Sequence, residues 1–180
     1  MSGFKTASDA VRRGARGFTL IEMVVVIGIA SVLLALATLG FQSMNDKYKV
    51  ESQVKQMQAD IDNLRLTAMT TKQRCCVQLN PNSYTFLSYS SDSDPGHPPP
   101  GMQNGAVALQ FPIQQFSNGS YSDLTGTLLS IDARGCLTSP GAPYYIAVAP
   151  GVPGVQVNAL ALQTAKTNIG LIQGGSCVLQ

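Results

Sequence analysis

The chain has 180 residues, 44% of them hydrophobic and only 12% charged, with a formal net charge of +2. This length suits an apolar segment plus one small globular domain. Lys5, Arg12, Arg13 and Arg16 against Asp9 give the first 17 residues +3, so the remaining side chains sum to −1 and leave no nucleic-acid footprint.

Residues 1–17 carry small residues and basic groups without apolar periodicity, and read as a cytoplasmic leader outside the fold. From Met23 to Asn45 there are 23 consecutive residues without formal charge. A helix of that length crosses a hydrocarbon core of about 30 Å, so 18–40 is expected to be a transmembrane segment touching inner-membrane lipid. Arg12, Arg13 and Arg16 before it orient the N-terminus to the cytoplasm and the remainder to the periplasm. Glu22 lies within the apolar run, where a carboxylate costs about 2.5 to 3.5 kcal/mol at mid-bilayer and less near the interface; it asks for a partner. Gly17 puts a small residue ahead of the run, whereas an ordinary secretory signal is cleaved after it.

Arg16 to Glu22, RGFTLIE, resembles the class III signal of type IV pilins and type II secretion pseudopilins without departure. The resemblance implies that a prepilin peptidase cuts between Gly17 and Phe18 and methylates the new N-terminal Phe18, and that Glu22 guides assembly with other minor and major pilins or pseudopilins. Two other readings use the same residues. One is a plain signal anchor, with Glu22 held by the helix dipole. The other is a conventional signal peptide with its core at Met23 to Leu34, cleaved at Ala35-Leu36-Ala37 to release a soluble periplasmic domain.

The helix is expected to continue to about Gln73, since no proline occurs before Pro81. In its 41–73 half, Val50, Val54, Met57, Ile61, Leu64 and Ala68 are spaced 4, 3, 4, 3 and 4, one stripe for burial against a sheet. Glu51 and Lys55 form an i, i+4 pair, and Lys72 with Arg74 suit the negative end of the dipole. Gly28 and Gly40 permit close helix approach or a bend.

Residues 74–180 read as a periplasmic β-rich domain. Cys76 to Leu79 and Tyr84 to Tyr89 flank Asn80-Pro81-Asn82-Ser83 as a hairpin. Residues 90–104, with four prolines, form an exposed loop. Its His97 has only Asp92 and Asp94 nearby, too few ligands for a metal, and is expected to be a solvated loop residue. Further strands are expected at 106–113, 127–132, 144–149 and 155–162, with 114–126 a polar connection and a short last strand near the C-terminus. The expected fold class is α+β: a long N-terminal helix, membrane-spanning in its first half, on an antiparallel sheet, type IV pilin-like.

Residues 59–80 and LSIDARGC at 129–136 are similar to the H-type minor pilin and pseudopilin subfamily. That resemblance implies a low-abundance subunit at or near a pilus or pseudopilus tip that helps to start assembly.

Cys75, Cys76, Cys136 and Cys177 follow the apolar segment into an oxidising compartment, so disulfides are expected. Three connectivities are open. Cys75 and Cys76 point to opposite faces of a strand and can take different distant partners; Cys136 with Cys177 is the leading alternative, beside a vicinal or buried Cys75 and Cys76. No HExxH, GxSxG or Gly-rich phosphate loop is present, and no enzymatic activity, cofactor or metal is expected. DNA uptake is disfavoured, because only Arg134 and Lys166 are basic beyond Arg74. Adhesion through the 90–104 loop stays open.

Overall fold

A computed structural model describes residues 17–91, 96–102, 105–148 and 152–180. The leader up to Arg16, Asp92 and Asp94, and the start of the PGVPG turn lie outside the described residues. The chain forms two compact units, Met1–Phe41 and Gln42–Gln180.

A single helix, α1 (Leu20–Thr71), begins in the first unit and continues through Gly28 and Gly40 into the second. In the first unit the successive side chains Met23 to Ile27 are all exposed, so the helix is apolar on every side. Among the described residues, no helix is long and apolar enough to cross a membrane. The described side chains of the apolar run go from Leu20 to Ala35, short of the about 20 residues that a span needs. The membrane-spanning first half expected of this helix is therefore not shown.

The second unit supplies its own partners. Val50, Val54, Met57, Ile61, Leu64 and Ala68 are all buried, at 0 to 3% exposure. The helix stops at Thr71 rather than Gln73, because Lys72 takes a left-handed φ of 58°. Lys72 and Arg74 thus leave the last turn; Arg74 opens the first strand, its guanidinium 4.9 Å from the Tyr89 ring centroid.

Two antiparallel sheets follow, where a single one was expected. The first contains β1 (Arg74–Asn80), β2 (Ser83–Tyr89), β3 (Ala106–Ala108), β6 (Thr127–Ile131) and β7 (Leu137–Ser139), in the order β3-β2-β1-β6-β7. The second contains β4 (Ile113–Ser117), β5 (Ser120–Ser122), β8 (Tyr144–Val148), β9 (Ala159–Leu162), β10 (Thr167–Gln173) and β11 (Ser176–Leu179), in the order β11-β10-β9-β8-β4-β5. The expected strand at 106–113 is split between the sheets: β3 ends at Ala108 and β4 starts after Pro112, which has no N–H to give a ladder. The expected polar connection 114–126 holds a hairpin, turned by Asn118 and Gly119 at φ of 50° and 78°. The C-terminal segment forms two strands, not one, around Gly174-Gly175. One core joins the helix stripe to Val77, Leu79, Phe86 and Leu129 of the first sheet and to Ile113, Ile146, Leu160 and Leu162 of the second.

Polar side chains of α1 fasten the turns around this core. Glu51 Oε1 accepts the Gln156 N–H at 2.9 Å, a loop backbone partner in place of the expected Lys55. Gln58 Nε2 donates to Thr167 O at 3.1 Å. Arg65, 4% exposed, donates from Nη1 to Gly135 O at 2.7 Å and Thr164 O at 2.9 Å, and from Nη2 to Gln163 O at 2.9 Å. Burial pushes its guanidinium pKa down, opposed by nearby Asp62 and Cys136. The β6–β7 turn that it grips is organised by Asp132, whose Oδ1 accepts the N–H groups of Arg134 and Cys136. Gly135 there has φ of 80°, and an added Cβ would lie 3.1 Å from the Met69 side chain.

Candidate functional site

The residues singled out for processing and assembly stand together at the start of α1. Gly17, Phe18 and Thr19 are non-helical and exposed. Thr19 is the N-cap: its Oγ1 accepts the Glu22 N–H at 3.3 Å and its carbonyl accepts the Met23 N–H at 3.2 Å. Thr19-Leu20-Ile21-Glu22 is the S/T-x-x-E pattern of a capping box, a signal that was readable in the sequence and that explains why the helix begins at Leu20 rather than Phe18. The Glu22 carboxylate lies in the first turn, where the helix dipole favours negative charge.

The Gly17–Phe18 peptide bond therefore sits on exposed, non-helical backbone just before the first helical turn. A Cβ at Gly17 would meet nothing within 4 Å, so this chain's own packing does not require glycine there. Phe18 is 75% exposed. Ser31, a polar interruption of the apolar run, donates its hydroxyl to Ile27 O at 2.7 Å and so presents no unsatisfied donor.

The four cysteines are free thiols. Cys75 and Cys76 are buried side by side in β1, Cys136 is half-buried in the β6–β7 turn, and Cys177 is half-buried in β11 of the other sheet. Burial, then the neighbouring Cys76, pushes the Cys75 thiol up to about 11; burial also raises Cys177. Thiols shifted this way are poor nucleophiles at neutral pH. His97 keeps an exposed side chain while its backbone exchanges hydrogen bonds with Ser88, at 2.7 and 3.1 Å, as an isolated bridge beside β2. Among the described residues, no group of three or more His, Cys, Asp or Glu side chains could hold a metal. Arg134 and Lys166 are exposed on separate turns.

The sequence reading missed Gln53 and Arg65 as members of the buried face. Both sit next to the apolar stripe at helical spacing, Gln53 three residues after Val50 and Arg65 four after Ile61, which was the available signal.

The prokaryotic N-terminal methylation motif matches residues 12–38, a span that contains Gly17, Phe18, the Thr19 cap and Glu22. No curated protein matches the chain, and no solved structure does. With its antiparallel sheets on an N-terminal helix, the chain fits a type IV pilin-like fold at a coarse level, and the motif supports a type IV pilin-like or pseudopilin-like protein processed by a prepilin peptidase.

Proposed function

We propose that this chain is a structural minor pilin or pseudopilin, cut between Gly17 and Phe18, methylated on Phe18, and assembled near the tip of a type IV pilus or type II secretion pseudopilus. The observation that carries this reading is the methylation motif over 12–38, set on an exposed Gly17–Phe18 junction ahead of a helix that is apolar on all sides. A helix of this kind needs an apolar surrounding that the described residues of its own unit do not provide. Inner-membrane lipid before assembly, and the helices of neighbouring subunits after it, would both supply one.

Glu22 has two roles in this reading. As a first-turn carboxylate it stabilises the start of the helix. Once the chain is cut, the free amine of Phe18 becomes a cation close in sequence, and the carboxylate pairs with that amine or with the amine of an adjacent subunit, which sets registry between helices. The role is structural rather than catalytic.

Intact mass and N-terminal sequencing of protein extracted from membranes of a host with a prepilin peptidase test the reading. A chain beginning at methylated Phe18 is expected. A chain beginning near Thr38 would mean a conventional signal peptide and would overturn the assembly role of Glu22.

A further inference from the structure

Strand β3 is an open edge of the first sheet. Val107 pairs with Tyr84 of β2, and the Leu109 N–H donates to Asn82 O at 2.9 Å. Backbone groups of alternate residues turn to opposite sides in an antiparallel ladder, so the N–H and C=O groups of Ala106 and Ala108 face away from β2. Gln110 has the same parity, and its N–H is taken by Gln53 Oε1 at 3.1 Å. The same buried side chain accepts the Phe111 N–H at 3.0 Å and donates to Phe111 O at 2.8 Å. A side-chain amide of α1 thus stands where a further strand would begin.

Beside this edge lies a cavity of about 210 Å³ between α1 and β3. Its helix wall carries Lys49, Ser52 and Gln56, spaced i, i+3 and i+7 on one face, and Tyr84 with Met57 adds apolar surface. Lys49 is exposed and makes no ion pair among the described residues. At Ala106–Ala108 the edge has no charged residue, proline or bulge, and its three-residue length limits how far another strand can pair with it. All these residues belong to the Gln42–Gln180 unit, apart from the processing segment.

We propose that this groove takes an extended peptide segment of a partner protein bearing a carboxylate: the segment adds as a strand to the free edge of β3 and sets its carboxylate against Lys49. Backbone pairing supplies affinity and the cavity takes an alternate side chain, the mode by which sheet edges beside a helix receive peptides. Charge decides the occupant. The other edge strands of this chain, β5, β7 and β11, contain no acidic residue, and Asp123, next after β5, already accepts from the Thr125 N–H and hydroxyl, so a second copy pairing through one of them would bring Lys49 no free carboxylate.

The test uses the full ¹⁵N-labelled chain in detergent micelles, titrated with the peptide acetyl-Thr-Val-Thr-Val-Thr-Asp-amide. The Ala106 and Ala108 amide signals are expected to shift and exchange more slowly with solvent. Replacing the peptide's Asp by Asn should weaken binding about 2- to 5-fold, and Lys49→Gln should remove that difference. A peptide N-methylated on alternate residues should not bind. Ala108→Pro, which deletes an outward N–H and spares the β2 ladder, should lose binding as well. Unmoved Ala106 and Ala108 signals, or equal binding of the N-methylated peptide, would overturn strand addition. Equal binding of the Asp and Asn peptides would overturn the carboxylate. The same shifts appearing when the protein is concentrated without peptide would assign the groove to a second copy and overturn the proposed occupant.

Discussion

Two regions of the same helix, both rich in aliphatic residues, have opposite circumstances. From Leu20 to Ala35 the apolar side chains cover every side of the helix and are exposed, Leu33 at 62%. After Gln42 the buried ones form one stripe, with Leu64 fully buried, while Leu66 and Met44 off the stripe stay exposed. The difference lies in what else the helix carries: Gln53, Gln58 and Arg65 stand beside the stripe and bond to backbone across the unit, whereas the described residues of the first region show no such long-range bond. An apolar stripe with polar flanks packs against its own chain; an apolar cylinder waits for a surrounding.

Leucine truncation should separate the regions most sharply. Leu64→Ala is expected to lower the unfolding free energy by about 2–5 kcal/mol in urea titrations of the detergent-solubilised chain. Leu33→Ala should stay within about 0.5 kcal/mol. Equal losses would break the comparison. Arg65→Met should cost about 2–3 kcal/mol in the same titration, because the carbonyls of Gly135, Gln163 and Thr164 lose a charged donor; Arg65→Lys should recover only part of it, since an ammonium cannot match the spread of the guanidinium.

A pH series sharpens the contrast further. The Cys75 thiol, raised by burial from its ordinary value of 9.0 to about 11, keeps its proton in the folded unit at pH values where the unfolded chain has lost it. Its contribution is therefore complete below pH 9 and disappears as pH rises toward about 11. Tyr84, raised by burial and then by the 2.6 Å bond that its hydroxyl donates to Asp60, acts in the same direction above pH 10. Urea midpoints should fall from pH 9 upward, with a shallower slope for Cys75→Ala. Thiol titration of the protein from an oxidising compartment separates free from paired cysteines: four reactive groups after denaturation are expected if the thiols persist, with half-buried Cys136 and Cys177 reacting before Cys75 and Cys76 in the native state.

A small effect on stability should come from Glu22→Ala, a loss of about 0.3–1 kcal/mol confined to the first turn. Its consequence for assembly should be large: the variant is expected to be processed and membrane-inserted yet poorly incorporated, and normal co-purification with the filament would sink the registry role.

What could be read from the sequence was whatever repeats with a period. Every member of the Val50 to Ala68 stripe is buried as the spacing required, and the hairpin around Pro81-Asn82 follows from β-branched and aromatic runs beside turn residues. The β4–β5 hairpin escaped because its strands are polar; its Asn118-Gly119 turn is a strong signal, but without alternating apolar flanks it read as connection. Two sheets rather than one could not be foreseen, since strand order depends on contacts far apart in the chain. At the helix start, Glu22 stands out in the sequence as a carboxylate in an apolar run, while the cap by Thr19 through the Glu22 N–H is written in the same four residues as an S/T-x-x-E pattern.

The bonds from Glu51, Gln53, Gln58 and Arg65 also have a mechanical meaning. They are spread along about 21 Å of helix and end on different loops and strand ends. A pull along the helix axis loads them side by side, in shear, instead of peeling them one after another. The second unit should thus resist extension almost fully up to a threshold and then yield in a single event, the response of a rivet line and not of a zipper.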